Sequence, residues 1–140
     1  MKSIPPIKAM MTPFPHWIAS DKPVTEAVRL MAEHGIRHLA IKDGSELVGV
    51  VTQRDIQNAL TLSKSADHLS IGKVCLRQAY VVELSEPLDR VLLGMADQHL
   101  DAALVVKDGK LAGIFTITDA CRGFRDLLRS LFPSGGDDAA

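Results

Sequence analysis

Aromatic side chains are scarce in this chain, at 4% of 140 residues, so its core has to be built mainly from Leu, Val, Ile, Ala and Met. Cysteine is scarcer still. Cys75 and Cys121 lie far apart and in no CxxC pattern, which argues against a disulfide framework or a redox pair. Both are expected to be small buried hydrophobes. The chain also lacks an excess charge of either sign: 16 Lys and Arg stand against 17 Asp and Glu. A broad nucleic-acid surface, which needs clustered basic residues, is not expected. No apolar run reaches the ~18 residues of a membrane span. The opening MKSIPPIKAMMTPFPHW carries only Lys2 ahead of two prolines and makes a poor secretion signal, so the expected location is cytoplasmic. Five histidines (His16, His34, His38, His68, His99) show no HExxH or paired ligand spacing, and no metal site is read from them. With 46% hydrophobic and 24% charged residues, the chain reads as one soluble globular domain. A domain of this length buries roughly 68–70% of its unfolded surface and needs no staple.

What the chain does contain is itself, twice. A shift of 64 pairs Ile7 with Ile71, Pro23 with Pro87, Met31 with Met95, Ala32 with Ala96, Gly49 with Gly113, Thr52 with Thr116 and Asp55 with Asp119. Between these anchors a shift of 65 matches Lys42-Asp43-Gly44 to Lys107-Asp108-Gly109. On that reading, single-residue insertions compensate one another on either side of a turn. It aligns Ile36, Arg37 and His38 with Asp101, Ala102 and Ala103.

Each copy repeats one order of elements. In the first, Trp17-Ile18-Ala19 is short and extended. A helix follows, opened near Ser20/Asp21 with Pro23 in its first turn, carrying Val24, Ala27, Val28 and Met31 at helical spacing and stopping at Gly35. Strands His38–Ile41 and Leu47–Val51 flank a turn containing Asp43-Gly44, and a second helix runs from after Thr52 to about Leu62. The second copy offers Ala79–Val82, a helix from about Pro87 to His99, strands Ala103–Val106 and Leu111–Phe115, and a last helix after Thr116. Thr61–His68 is polar and joins the copies, while Pro133–Ala140 has nothing to bury and is expected to be disordered. The class is α/β.

The chemistry sits where strands end. Gly49 to Asp55 and Gly113 to Asp119 each place Thr at a strand end and Asp three residues on, at a helix start. Such a junction presents unpaired backbone N–H groups and the positive end of a helix dipole, a natural place for an anionic or hydroxyl-rich ligand. An Asp can accept two hydrogen bonds from a vicinal diol, and a Thr can add one. Thr-x-x-Asp is equally a near-match to the helix capping box, and spacing leaves both readings open.

The pattern Gly-apolar-x-Thr-x-x-Asp, preceded by GIRHLAIKDG in one copy and HLDAALVVKDG in the other, resembles the CBS domain, named after cystathionine beta-synthase. Ile7 to Thr12, and more loosely Ile71 to Cys75, are similar to the family's usual opening, so the likeness spans about Ile7 to Phe124. It implies two βαββα repeats packed by their sheets as a pseudo-twofold module. Repeat one is then 1–62, a linker 63–68, repeat two 69–132 and a tail 133–140. It further implies clefts between the repeats for AMP, ADP, ATP or S-adenosylmethionine. Thr52 and Asp55, and Thr116, Thr118 and Asp119, would hold the ribose. Ile18 and Val82 would help sandwich adenine, partly through backbone hydrogen bonds. Arg37 and His38 stand where the family often places phosphate-binding groups, and Arg54 is a further candidate. Because the second copy lacks the basic pair, the two clefts should differ in affinity or ligand charge.

The expected function is therefore a nucleotide-sensing regulatory module, not an enzyme. No nucleophile elbow, phosphate loop or metal spacing organises the Ser, His and Asp residues. No catalytic domain stands within these 140 residues, so a separate regulated protein or a homodimer would read the signal. The alternative is a ligand-free dimerisation or interaction module. For it, the stripe Ala120, Phe124, Leu127, Leu128 and Leu131, with Arg122, Arg125, Asp126 and Arg129 outside it, would dock on a twin helix instead of packing on its own module.

Overall fold

The structure, a computed structural model, describes residues 3–74 and 78–133. A 3-10 turn at Ile7–Ala9 leads into β1 (Thr12–Pro13) and β2 (Trp17–Ala19). Then come α1 (Val24–His34), β3 (His38–Asp43), β4 (Glu46–Thr52) and α2 (Gln53–Leu62). A second 3-10 segment, Lys64–His68, precedes α3 (Ile71–Val74), β5 (Val81–Glu83), α4 (Leu88–Gln98), β6 (Ala102–Lys107), β7 (Lys110–Thr116) and α5 (Ile117–Leu131). Among the described residues no helix is long and apolar enough to cross a membrane. Cys75 and residues 134–140 lie outside the described residues, and so do the expectations placed on them.

Helix α1 starts later than its sequence suggests. The Ser20 N–H extends the β2 ladder to the Lys42 carbonyl at 2.9 Å, and Pro23 (φ −72°, ψ 157°) becomes the N-cap. Gly35 ends the helix at φ +62°, a left-handed conformation that glycine adopts without penalty. Val28, grouped with the buried face by its spacing, is 45% exposed.

Two sheets result, β2-β3-β4 and β1-β7-β6-β5. Each is buried on both faces, which is why its strands read as apolar runs and not as alternating ones. In β3, Leu39 and Ile41 enter a core with Ile18, Val24, Ala27, Met31, Val51 and Ile56. In β6, Ala103 and Val105 enter another with Val82, Val91, Met95 and Phe115. The opposite faces meet through Ala40, Val50 and Leu104, with Leu47, Ala79, Leu111 and Ile114 around them. Two βαββα-like repeats thus pack by their sheets.

The opening segments change partners. Ile7 is fully buried in the second repeat's core, and Ile71 in the first repeat's. The backbone bonds that seat them mirror one another. Ile7 N–H donates to Glu86 and Ile71 N–H to Lys22, each at 2.8 Å, while Leu88 N–H donates to Pro5 at 2.9 Å and Val24 N–H to Leu69 at 3.0 Å. Strand β1 then pairs antiparallel with β7, Thr12 opposite Ile114 and Pro13 opposite Gly113. Gly113 is required there, since a Cβ would collide with Met11 Sδ and stand 3.0 Å from the Thr12 carbonyl oxygen.

The shift of 65 does not survive in the structure. His38 pairs with Thr52 and Ala102 with Thr116; Asp43 pairs with Glu46 and Lys107 with Lys110; both ladders carry a bulge at the same step. Every one of these equivalences has a shift of 64, so the repeats contain no compensating insertions. Both hairpins close on two-residue loops, Gly44-Ser45 and Asp108-Gly109. In the first only Gly44 is left-handed, whereas Asp108 and Gly109 both are, as an Asp-Gly hairpin turn favours. The shared Lys-Asp-Gly is turn chemistry at two different registers. Arg37 is therefore equivalent to Asp101 and His38 to Ala102, which corrects the alignment of Ile36, Arg37 and His38 with residues 101–103.

Helix α5 has no buried residue. Its inner side meets the opening segment at Gly123, where a Cβ would strike Met10. Ile117, Phe124, Leu127, Leu128 and Leu131 remain 41–61% exposed. Cys121, expected inside, is exposed on the same helix.

Candidate functional site

The two Thr-x-x-Asp segments form full capping boxes. Thr52 ends β4 in extended conformation (φ −110°, ψ 158°) and caps α2. Its Oγ1 accepts from the Asp55 N–H at 3.1 Å, and Asp55 Oδ2 accepts from the Thr52 N–H at 3.1 Å. Thr116 caps α5 in the same way, its Oγ1 accepting from the Asp119 N–H at 3.3 Å and Asp119 Oδ2 accepting from the Thr116 N–H at 2.9 Å. The first N–H of each helix is taken up as well, Gln53 donating to the Arg37 carbonyl at 2.9 Å and Ile117 to the Asp101 carbonyl at 3.0 Å. The capping reading of the motif is thus realised in both repeats. A carboxylate has several acceptor directions, so capping is compatible with a further role.

The second junction receives help from the opening segment. Thr12 Oγ1 lies 3.5 Å from Asp119 Oδ1, and Arg122 Nη1 lies 3.9 Å from the same oxygen. Sequence reasoning passed over Thr12 as a site residue. Its only signal was membership of the repeated opening, and nothing local says that this opening crosses to the other repeat. Thr118, in the first turn of α5, is exposed.

Ile18 and Val82 turn their side chains into the two cores, at 3% and 9% exposure. What they offer to a cleft is backbone, on strands at the edges of their sheets. Beside β5 a hollow of about 320 Å³ is lined by Gln78, Ala79, Tyr80, Val81, Gln98 and Leu100. Ala79 connects it to the contact between the sheets.

His38 opens β3 on the face that Ala40 turns toward the other sheet, by strand alternation. It is half-buried. Burial pushes its pKa below the ordinary histidine value, against the pull of the Asp101 and Asp55 carboxylates and with help from Arg37. His38 is therefore neutral at neutral pH, and carboxylates of both repeats act on it. Arg37 and Arg54 are exposed.

Comparison with known proteins adds to this geometry. The CBS domain family matches residues 7–62 and 71–129. An L-aspartate semialdehyde sulfurtransferase of Methanocaldococcus jannaschii is 32% identical over 120 residues, 84% of this chain. The chain spans only 23% of that relative's length. Among solved structures, the CBS domain pair of protein MJ0100, in complex with 5′-methylthioadenosine and S-adenosyl-L-methionine, superposes with a TM-score of 0.79. It is 28% identical, over 89% of this chain and 98% of that one. CBSX2 in complex with AMP superposes at 0.77 with 25% identity, over 89% and 99% of the two chains.

Proposed function

The chain belongs to the CBS-domain family as a tandem pair, and from that premise we propose that it is a non-catalytic regulatory module binding an adenosine-containing ligand in clefts between its repeats. The observation that carries this reading is the duplicated Thr-Asp junction at the ends of β4 and β7, in a fold whose solved relatives hold adenosyl ligands. Thr52 and Asp55 in one cleft, and Thr116, Thr118 and Asp119 in the other, meet the ribose. Backbone at Ile18 and Val82 meets adenine, and Arg37 and His38 stand near the phosphate end. AMP, ADP, ATP and S-adenosylmethionine are the candidate ligands.

Binding across the repeats favours the packing that fits the ligand, and a separate protein or a twin copy reads that preference. The test is a thermal-shift panel of these ligands with NAD and a cyclic dinucleotide. At 100 times its dissociation constant a ligand stabilises the fold by about 2.7 kcal/mol. The expected result is stabilisation by at least one adenosyl ligand, reduced in Asp55→Ala and Asp119→Ala. Indifference to every compound would overturn the reading in favour of a ligand-free interaction module.

Self-association belongs to this proposal on a separate observation. Ile117, Cys121, Phe124, Leu128 and Leu131 alternate by four and three residues along the exposed side of α5, the spacing of a helix-pairing seam. Leu92 and Leu93 are exposed on α4 as well. Charges flank both helices, Arg122, Arg125, Asp126 and Arg129 on α5 and Asp89, Arg90 and Asp97 on α4, with Arg125 already paired to Asp126 at 3.0 Å. In a twofold dimer each α5 lies against the partner's α4, which is self-complementary. Leu128→Glu is expected to convert the dimer to monomer in sedimentation experiments with its melting curve retained. A wild-type chain that sediments as a monomer would remove this part of the proposal.

A further inference from the structure

We propose that the two halves of the module fill in a fixed order: an adenosyl ligand seats its base first in the hollow beside β5, and the counterpart beside β2 admits a second only when the stacked rings of His16 and His34 part. This rests on the adenosine-binding reading above and names the residues that regulate its two sites.

The counterparts follow from the backbone. Val81 lies opposite Leu104 in one sheet and Trp17 opposite Ala40 in the other, a shift of 64 in both strands. Helices α1 and α4 end on left-handed residues at equivalent positions, Gly35 and His99. Tyr80, Gln98 and Gly94 therefore correspond to His16, His34 and Leu30.

One helix residue decides where the ring ahead of each short strand lies. A Cβ on Gly94 would collide with the Tyr80 hydroxyl oxygen and stand 2.8 Å from Cζ, so the Tyr80 ring rests on α4 at that glycine. Gln98 is one turn further along α4, and the space beside it stays open as the hollow of about 320 Å³. In the first repeat Leu30 takes the place of Gly94 and packs on the core. The His16 ring lies one turn further along α1 instead, on His34, with centroids 3.8 Å apart and planes inclined by 16°. That is van der Waals contact, with no gap for a third planar group. Trp17, the counterpart of Val81, adds bulk beside it, with the Lys42 ammonium 4.4 Å from its ring centre.

The open side suits a nucleobase. Its volume falls in the range of small-molecule sites, roughly 300–1,000 Å³. Ala79, Val81 and Leu100 supply apolar wall, and the carboxamides of Gln78 and Gln98 carry the donors and acceptors that the edge of a base requires. Ala79 joins the hollow to the contact between the sheets, where the repeats meet.

The experiment is calorimetric titration of the full chain with adenosine. The wild type is expected to bind in two steps, the second weaker by about fivefold or more, the scale of one broken aromatic pair. His34→Gln, which gives the first repeat the residue of the second, is expected to strengthen the second step and leave the first unmoved. Gly94→Ala is expected to push the Tyr80 ring toward Gln98 and weaken the first step at least about tenfold. Adding Tyr80→Ala to Gly94→Ala is expected to restore it. His34 is exposed and alanine favours a helix over glycine, so melting curves should verify that both single variants fold. Two equal steps in the wild type, a second step that His34→Gln leaves unmoved, or a first step that Gly94→Ala leaves unmoved would each overturn this inference while the adenosine-binding reading stands. If adenosine binds neither the wild type nor His34→Gln, both fall.

Discussion

Ile7→Ala is expected to destabilise the second half of the molecule, not the half that carries Ile7, by about 2–5 kcal/mol. Ile7 is fully buried against Val82, Val91, Met95, Ala103, Val105 and Phe115, every one of them in the second repeat. Removing three carbons leaves a cavity between β6, α4 and the opening turn, and rigid strand neighbours collapse into it only partly. Ile71→Ala should do the same to the first repeat, where Ile71 packs with Ile18, Val24, Leu39 and Val51. Denaturant unfolding measures the total loss, and native-state hydrogen exchange locates it. Amides of β6 and β7 should lose protection in Ile7→Ala, and amides of β3 and β4 in Ile71→Ala. Protection lost only from β3 and β4 in Ile7→Ala would contradict the exchange of opening segments.

Asp119→Glu is expected to leave α5 capped and yet lower adenosine affinity by about a hundredfold, two charge-assisted hydrogen bonds at about 1.5 kcal/mol each. Glu is the usual residue at this position of a capping box, because its longer chain reaches the N-cap N–H comfortably. It carries the carboxylate one methylene away from where a ribose diol would meet Asp119. Asp119→Ala leaves the Thr116 cap but removes the carboxylate that accepts from the Thr116 N–H, at about 1 kcal/mol of stability, and so mixes the two roles. The same pair at Asp55 provides an internal repeat of the test. Melting curves beside calorimetric titration separate the outcomes. Glu variants that melt like wild type and bind adenosine equally well would reduce both motifs to helix caps.

Duplication, element order and both strand-end motifs were readable along the chain because they rest on short-range physics. Helical spacing, Gly35 as a left-handed stop and Thr52 and Thr116 as N-caps involve residues within one or two turns of each other. Misreadings arose where one local signal stood for another. Lys-Asp-Gly recurs because hairpins favour Asp and Gly, so it mimicked a shared register that strand pairing does not have. Cys121 sits on the exposed face of α5, although cysteine by type favours the interior.

The linear pattern determined that there are two repeats, what each is made of and which residues end its strands. Tertiary structure alone decided that Ile7 and Ile71 trade cores, that Thr12 reaches Asp119, and that Phe124, Leu127, Leu128 and Leu131 of α5 face outward while Ala120 packs on the second core. The reason is the duplication itself. Two copies with nearly the same hydrophobic pattern offer each opening segment two equivalent places to be buried, and only the packing of the whole molecule distinguishes them.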